Sequence, residues 1–220
     1  MDESNDFISK KKEKALYISS SYTGEVKPVN LDKMDQSAKL HIEKIKETRA
    51  ESVLDFGCGT GGILLALQQA GVKEIHGIDA SPEAIEMIKK RFEKYGTLEK
   101  TSFTAGDILQ FDPPVVDVVS SHFVLCCHPN AIGMVDKATE KYPKIIVISF
   151  PNDNILTKTG AVFANIILWI SGLFKRSNRG LRWYAHSTKK INVKFEENGY
   201  RQIFIEKSFI NQTLIYEKVK

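Results

Sequence analysis

Val53-Leu54-Asp55-Phe56-Gly57-Cys58-Gly59-Thr60-Gly61-Gly62 is the stretch that decides how this chain folds. An apolar run ends in closely spaced glycines, as at a turn from strand to helix. Glycine there lets the backbone approach a ligand where any Cβ would collide. The pattern predicts a strand over Ser52 to Phe56 and a helix over Ile63 to Ala70, stopped at Gly71. Gly57, Gly59 and Gly62 also satisfy the spacing of a dinucleotide loop, so the glycines alone leave a nicotinamide oxidoreductase open.

Outward from the loop the chain alternates. Glu74 to Ile78 reads as a second strand, and Ser81-Pro82 opens a helix that runs to about Tyr95, with serine as cap and proline at the first helical position. Thr101 to Ala105, Val115 to Ser121 and Lys144 to Phe150 read as three further strands, with a helix over Ala131 to Lys141. Strands alternating with helices imply parallel βαβ units. At the end, Arg201 to Lys207 and Gln212 to Lys218 form an antiparallel pair on a short connection. The expected fold is α/β: a Rossmann-like, doubly wound, mostly parallel seven-stranded sheet with an antiparallel C-terminal strand pair. Residues 1–50 read as a helical cover, with a helix over Leu31 to Thr48, and 51–220 as the main domain, with an insertion at about 152–187.

Three features favour S-adenosylmethionine over a dinucleotide. Asp55 ends the first strand, where a carboxylate would repel a pyrophosphate but suits an ammonium and a sulfonium. The loop begins only after fifty residues, which leaves little chain for a separate catalytic domain. Ala105-Gly106-Asp107-Ile108 follows the third strand, and a carboxylate there can accept a hydrogen bond from an adenine amino group. Asp79, after the second strand, suits ribose hydroxyls in either kind of site.

Taken together, VLDFGCGTGG, GIDAS and AGDI resemble the class I S-adenosylmethionine-dependent methyltransferase family over roughly Ser52 to Pro151. The resemblance implies that Gly57 and Gly59 lie against the methionine moiety, that Asp79 holds the ribose, and that Asp107 and Ile108 reach the adenine. The expected cofactor set is Asp55, Gly57, Cys58, Gly59, Asp79, Ala80, Asp107, Ile108 and Ser121. S-adenosylhomocysteine would be the product. The tail, with Ser-Phe-Pro, an apolar helix, Tyr-Ala-His-Ser and Phe-Glu-Glu-Asn-Gly-Tyr, is similar to magnesium-protoporphyrin and ubiquinone-type O-methyltransferases.

The acceptor is expected over the carboxyl end of the fourth strand. His122 is the candidate catalytic residue there, as a general base or a substrate contact, with a structural role as the plain alternative. The segment after it departs from the Asn/Asp-Pro-Pro-Tyr/Phe pattern of methyltransferases that act on amino nitrogens, which argues against a nucleic-acid base. His128, before Pro129, reads as a turn residue, and His186 as a residue that reaches the same pocket from a loop.

Gly160 to Phe174 is nearly all apolar and is followed by Lys175, Arg176, Arg179 and Arg182. It is short for a transmembrane helix, which needs about 20 residues. It could be a buried lid, an interfacial helix whose basic flank meets anionic headgroups, or a nucleic-acid patch. Either of the first two makes a greasy pocket wall and hence an apolar acceptor, with peripheral membrane contact through 160–184.

Composition bounds the rest. In 220 residues, 42% apolar and 26% charged residues fit an ordinary globular chain, and a net charge of +4 is too mild to imply nucleic acid. Cys58, Cys126 and Cys127 lack metal spacing, so no metal site is expected. Met1 to Lys14 lacks a signal peptide's apolar core, so the expected location is cytoplasmic, with peripheral membrane contact open. The expected function is methyl transfer to a small, hydrophobic acceptor, most simply at oxygen. The alternatives are an RNA or protein methyltransferase and a non-catalytic cofactor-binding module at a membrane surface.

Overall fold

Val53, Leu54, Asp55 and Phe56 are all buried, as a strand covered on both faces requires. They form β1 (Ser52–Phe56), which pairs in parallel with β2 (Glu74–Asp79) on one side and β4 (Val118–His122) on the other. The computed structural model describes residues 25–174 and 182–219. With β3 (Thr101–Ala105), β5 (Ile145–Pro151), β6 (Tyr200–Lys207) and β7 (Asn211–Lys218), the sheet has seven strands in the order β3-β2-β1-β4-β5-β7-β6. Strand β7 runs antiparallel to both β5 and β6, and the other pairings are parallel. The doubly wound sheet with its antiparallel terminal pair is therefore present as expected.

The strand order reverses between β1 and β4, and ligands of such sheets bind at the carboxyl ends beside that point. Register brings the ends level: Phe56 lies opposite both Ile78 and Ser121, and Asp79 opposite Ala105. The glycine loop, Asp79, Asp107 and His122 thus share one edge.

Local chemistry sets the helices around the sheet. Helix α1 (Gln36–Glu47) starts five residues later than the apolar spacing suggests, because Asp35 is extended and its side chain accepts the Ala38 amide. Leu31–Lys33 forms a separate 3-10 turn. Helix α2 (Gly62–Gln69) follows the loop, and α3 (Pro82–Tyr95) begins as read, with the Ser81 hydroxyl accepting the Ala84 amide at 3.1 Å. Helix α4 (Ala131–Thr139) is capped by Asn130 and α6 (Thr188–Glu197) by Ser187. Two apolar cores result. One joins α1, α2 and α3 to β1 and β2, and the other puts α4 and α6 over β4, β5 and β7.

Helix α5 (Ile155–Phe174) is the exception, and begins before the apolar run. Most of the residues it turns inward are small or polar: Ala161 is buried, and Thr157, Ala164, Asn165, Leu168 and Ser171 are half-buried. Phe163 and Trp169 are 68% and 69% exposed, and Ile155, Val162, Ile167 and Leu173 are exposed as well. Of the three readings of this segment, the buried lid is therefore not what forms; the greasy face points outward. Among the described residues, no helix is long and apolar enough to cross a membrane. Residues 1–24 of the expected helical cover and the basic residues Lys175, Arg176 and Arg179 lie outside the described residues.

Candidate active site

The loop after β1 is built by its backbone. Gly57 and Cys58 both donate their amides to the Ile78 carbonyl, at 2.7 and 3.1 Å, and Gly61 donates to Cys58 at 2.9 Å. Gly57, Gly59 and Gly61 have φ of 70, 52 and 76°, a region that disfavours any side chain. A Cβ on Gly57 would lie 2.2 Å from a Val124 methyl, so the loop is pressed against the turn after β4. The Cys58 side chain is buried against Gly77 and Leu64, and burial pushes its thiol well above the usual range. Cys58 therefore offers the edge a backbone and no thiolate.

Asp79 holds this loop. One carboxylate oxygen accepts the Gly59 amide and the other the Ser81 amide, both at 2.9 Å. Each oxygen keeps a further lone pair for a ligand hydroxyl. Gly57, Gly59, Asp79, Ala80 and Gly106 are partly exposed in one row along the edge.

Asp107 is buried and starts a 3-10 turn over Ile108–Gln110, where its Oδ1 accepts the Leu109 amide at 3.0 Å. Its Oδ2 is buried without a hydrogen-bond partner among the described residues. A buried carboxylate oxygen left in that state is costly unless something donates to it. An adenine amino group would. Ile108 turns into the core beneath α4, and its contribution to a ligand would be shape. Ser121 also lies inward: its side chain is buried beside Phe56, Leu125, Met134 and Phe195, with no hydrogen-bond partner among the described residues.

Asp55 is 3% exposed, and its Oδ1 accepts the Ser120 hydroxyl at 2.7 Å. Burial raises its carboxyl to about 7, against the pull of the Ser120 hydroxyl and with help from nearby Asp79. A cationic ligand group is what would hold it ionised.

On the acceptor side, His122 is half-buried at the end of β4, with Nε2 3.3 Å from the Ser37 hydroxyl. Burial lowers its pKa although Asp35 raises it, so the ring is neutral at pH 7. A neutral imidazole can accept a proton. Phe123 follows at φ 56°, a strained value for a bulky residue, and its ring stands edge-on to His122 at 4.5 Å.

His128 and His186 are bonded to backbone groups. His186 Nε2 lies 2.9 Å from both the Leu125 and His128 carbonyls, which binds it to the turn after β4 rather than leaving it for a pocket. His128 Nδ1 accepts the Asn130 amide, as a turn residue would. Tyr184 donates its amide to Cys126, and Asn165 of α5 bonds both backbone groups of Trp183. The segment after α5 is thereby tied to the acceptor edge.

Sequence reasoning missed four residues behind Asp55. His41 of α1 is fully buried between Ser120 and Ser149, and Ser149 meets Thr213. The signal was present: a histidine sits within the buried stripe of Ala38, Ile42 and Ile45, and serines interrupt apolar strands.

Residues 53–142 match the model of a methyltransferase domain. The chain is 27% identical over 131 residues to a probable cobalt-precorrin-6B C(15)-methyltransferase (decarboxylating) of Saccharolobus solfataricus, covering 59% of each. It is 27% identical over 129 residues to a small RNA 2'-O-methyltransferase of Arabidopsis thaliana, covering 53% of this chain and 14% of that protein. The chain thus spans three fifths or less of the length of these relatives. Among solved structures, magnesium protoporphyrin IX methyltransferase from Synechocystis with bound SAM superposes with a TM-score of 0.69, at 16% identity over 99% of this chain and 98% of that one. The methyltransferase domain of bacterial CtHen1-C gives 0.61, at 17% identity over 87% and 100%.

Proposed function

We propose that this chain, which carries a class I S-adenosylmethionine-dependent methyltransferase domain, methylates a small, apolar acceptor at oxygen. When bound, S-adenosylmethionine supplies an electrophilic methyl group on a sulfonium whose departure leaves a neutral thioether. The residues present suit it: an orphaned Asp107 oxygen for adenine, Asp79 for ribose hydroxyls, and Asp55 for the methionine ammonium.

One observation carries the acceptor reading. The carboxyl end of β4 offers a single half-buried, neutral imidazole beside a strained phenylalanine, and the segment pinned over it leads from a largely apolar helix. A phenol or carboxylic acid loses its proton easily, so one weak base such as His122 suffices, and alignment with exclusion of water supplies the remaining acceleration. The outward face of α5 also supports peripheral contact with a membrane through 160–184, which would bring a lipophilic acceptor to the site.

The test uses protein incubated with methyl-labelled S-adenosylmethionine and whole-cell extract. Label is expected in the organic phase and should be released by mild base if the product is an ester. Label retained in RNA or protein precipitate would displace this reading. His122→Gln should lower turnover about 100-fold or more while leaving S-adenosylhomocysteine affinity unchanged. Unchanged turnover would leave His122 as a wall residue.

A further inference from the structure

Four hydrogen bonds run in series behind the glycine loop. Asp55 Oδ1 meets Ser120 Oγ at 2.7 Å, Ser120 meets His41 Nε2 at 2.9 Å, His41 Nδ1 meets Ser149 Oγ at 2.8 Å, and Ser149 meets Thr213 Oγ1 at 2.9 Å. Every member is at most 3% exposed. The backbone explains the gap that the histidine fills. Asp55 lies directly opposite Ser120, and Ser149 directly opposite Thr213, but Ser120 faces Val147 across the next ladder. Ser120 and Ser149 are thus offset by one pleat on the same face, and the His41 ring spans the diagonal from α1.

Each hydroxyl has one proton, and a neutral imidazole has one N–H. Those counts leave the series two arrangements. With Asp55 ionised, Ser120 must donate to it. His41 Nε2–H then donates to Ser120, Ser149 donates to His41 Nδ1, and Thr213 donates to Ser149. With Asp55 protonated and donating, every bond reverses, and the imidazole proton sits on Nδ1. Four aligned donors polarise one another toward the carboxylate in the first arrangement.

We propose that His41 is a positioning residue for the cofactor carboxylate: it joins Asp55 to β7 through a proton-ordered chain whose direction, and with it the His41 tautomer, reverses when Asp55 gains or loses a proton. The two arrangements differ by one proton, which the Asp55 carboxyl takes up or releases at the edge. The three hydroxyls keep one proton each and turn about their C–O bonds, while the imidazole loses the proton on one nitrogen and gains one on the other by exchange with water during local opening. The groups around the chain are Asp79 of β2 and Cys58 of the loop, which face Asp55, and His122 of β4, whose ring stands 5.3 Å from His41. Burial and His122 together hold His41 well below its usual pKa, which keeps it neutral while Asp55 titrates near 7. The tautomer switch is independent of the proposed function, and only its effect on the cofactor rests on that reading.

Long-range proton–nitrogen spectra of histidine-labelled protein test it, with His41 assigned by its loss in His41→Gln. In the ligand-free protein, the expected result is an Nδ1–H ring at pH 5.5 and an Nε2–H ring at pH 8.5. Ser120→Ala cuts the chain while keeping the packing, and should leave one tautomer at every pH. A wild-type tautomer that ignores pH, or a switch that survives in Ser120→Ala, overturns the proposal whatever the protein binds. In the same variant, the pH at which S-adenosylhomocysteine affinity rises should move up by about one unit or more, the loss of one hydrogen bond to a carboxylate. An unmoved profile beside an intact switch would show that the chain is ordered but does not position the cofactor.

Discussion

The cofactor edge and helix α5 treat apolar residues in opposite ways. Around the glycine loop, Val53, Leu54 and Phe56 are buried, and polar groups such as Asp79 are held by backbone amides. In α5 the small residues turn inward and Phe163 and Trp169 stand in solvent. The first region is organised around its own interior. The second is organised for something outside it. On the proposed function, the difference would separate a rigid seat for the donor from a greasy approach for the acceptor.

The comparison breaks most easily at Gly57. Gly57→Val adds a Cβ 2.2 Å from a Val124 methyl at a φ of 70°, so strain and overlap act together. Affinity for S-adenosylhomocysteine in a calorimetric titration should fall by about 4 kcal/mol or more. Normal binding would mean that the seat lies elsewhere.

Asp55→Asn should separate stability from binding. Free Asp titrates at 3.8 and Asp55 in the fold at about 7, so between those values the folded protein holds a proton that the unfolded chain has lost. Stability therefore falls as pH rises from about 4 to 7 and stays low above that. Asparagine removes this dependence. The variant should match wild type near pH 4 and exceed it by roughly 2–4 kcal/mol at pH 8 without ligand, while binding the cofactor more weakly. His41, whose pKa is lowered by burial, acts oppositely at acid pH but is common to both proteins. A gap that ignores pH would refute the raised carboxyl.

What was legible in the sequence follows the range of the interactions involved. Strand β1, the loop and the Ser81 cap are decided by neighbours within a few residues, and were readable. Asp79 and Asp107 were readable because the turn that holds each one is local. The start of α1 was displaced because apolar spacing continues through Met34 while Asp35 caps. The inward turn of Ser121 and the partners of His41 depend on residues 79 and 108 positions away, or on the opposite core, and no local pattern encodes them. The orientation of α5 was illegible for a related reason: an apolar helix with small residues on one side fits either way until its partner is known.

Asp79→Ala comes next in size. It removes a carboxylate that bonds two loop amides and would meet the ribose, so cofactor affinity should drop by roughly 1.5–3 kcal/mol. If affinity holds in the same titration, the ribose assignment is lost and Asp79 only shapes the turn.

The smallest effect on folding is expected where the apolar surface is greatest. Replacing Phe163, Ile167 and Trp169 of α5 together by serine removes three large side chains, which in a core would unfold a domain of this size. Their exposure predicts otherwise: stability should change by less than about 1 kcal/mol, read from chemical denaturation, and solubility should rise. Co-sedimentation with vesicles rich in anionic lipid should be lost in parallel, and turnover on a lipophilic acceptor should fall through KM rather than kcat, because the donor seat is untouched. A cooperative loss of stability would mean that these side chains are packed in solution, against another copy or another part of the chain. The contrast between the two regions would then be one of partners and not of purpose.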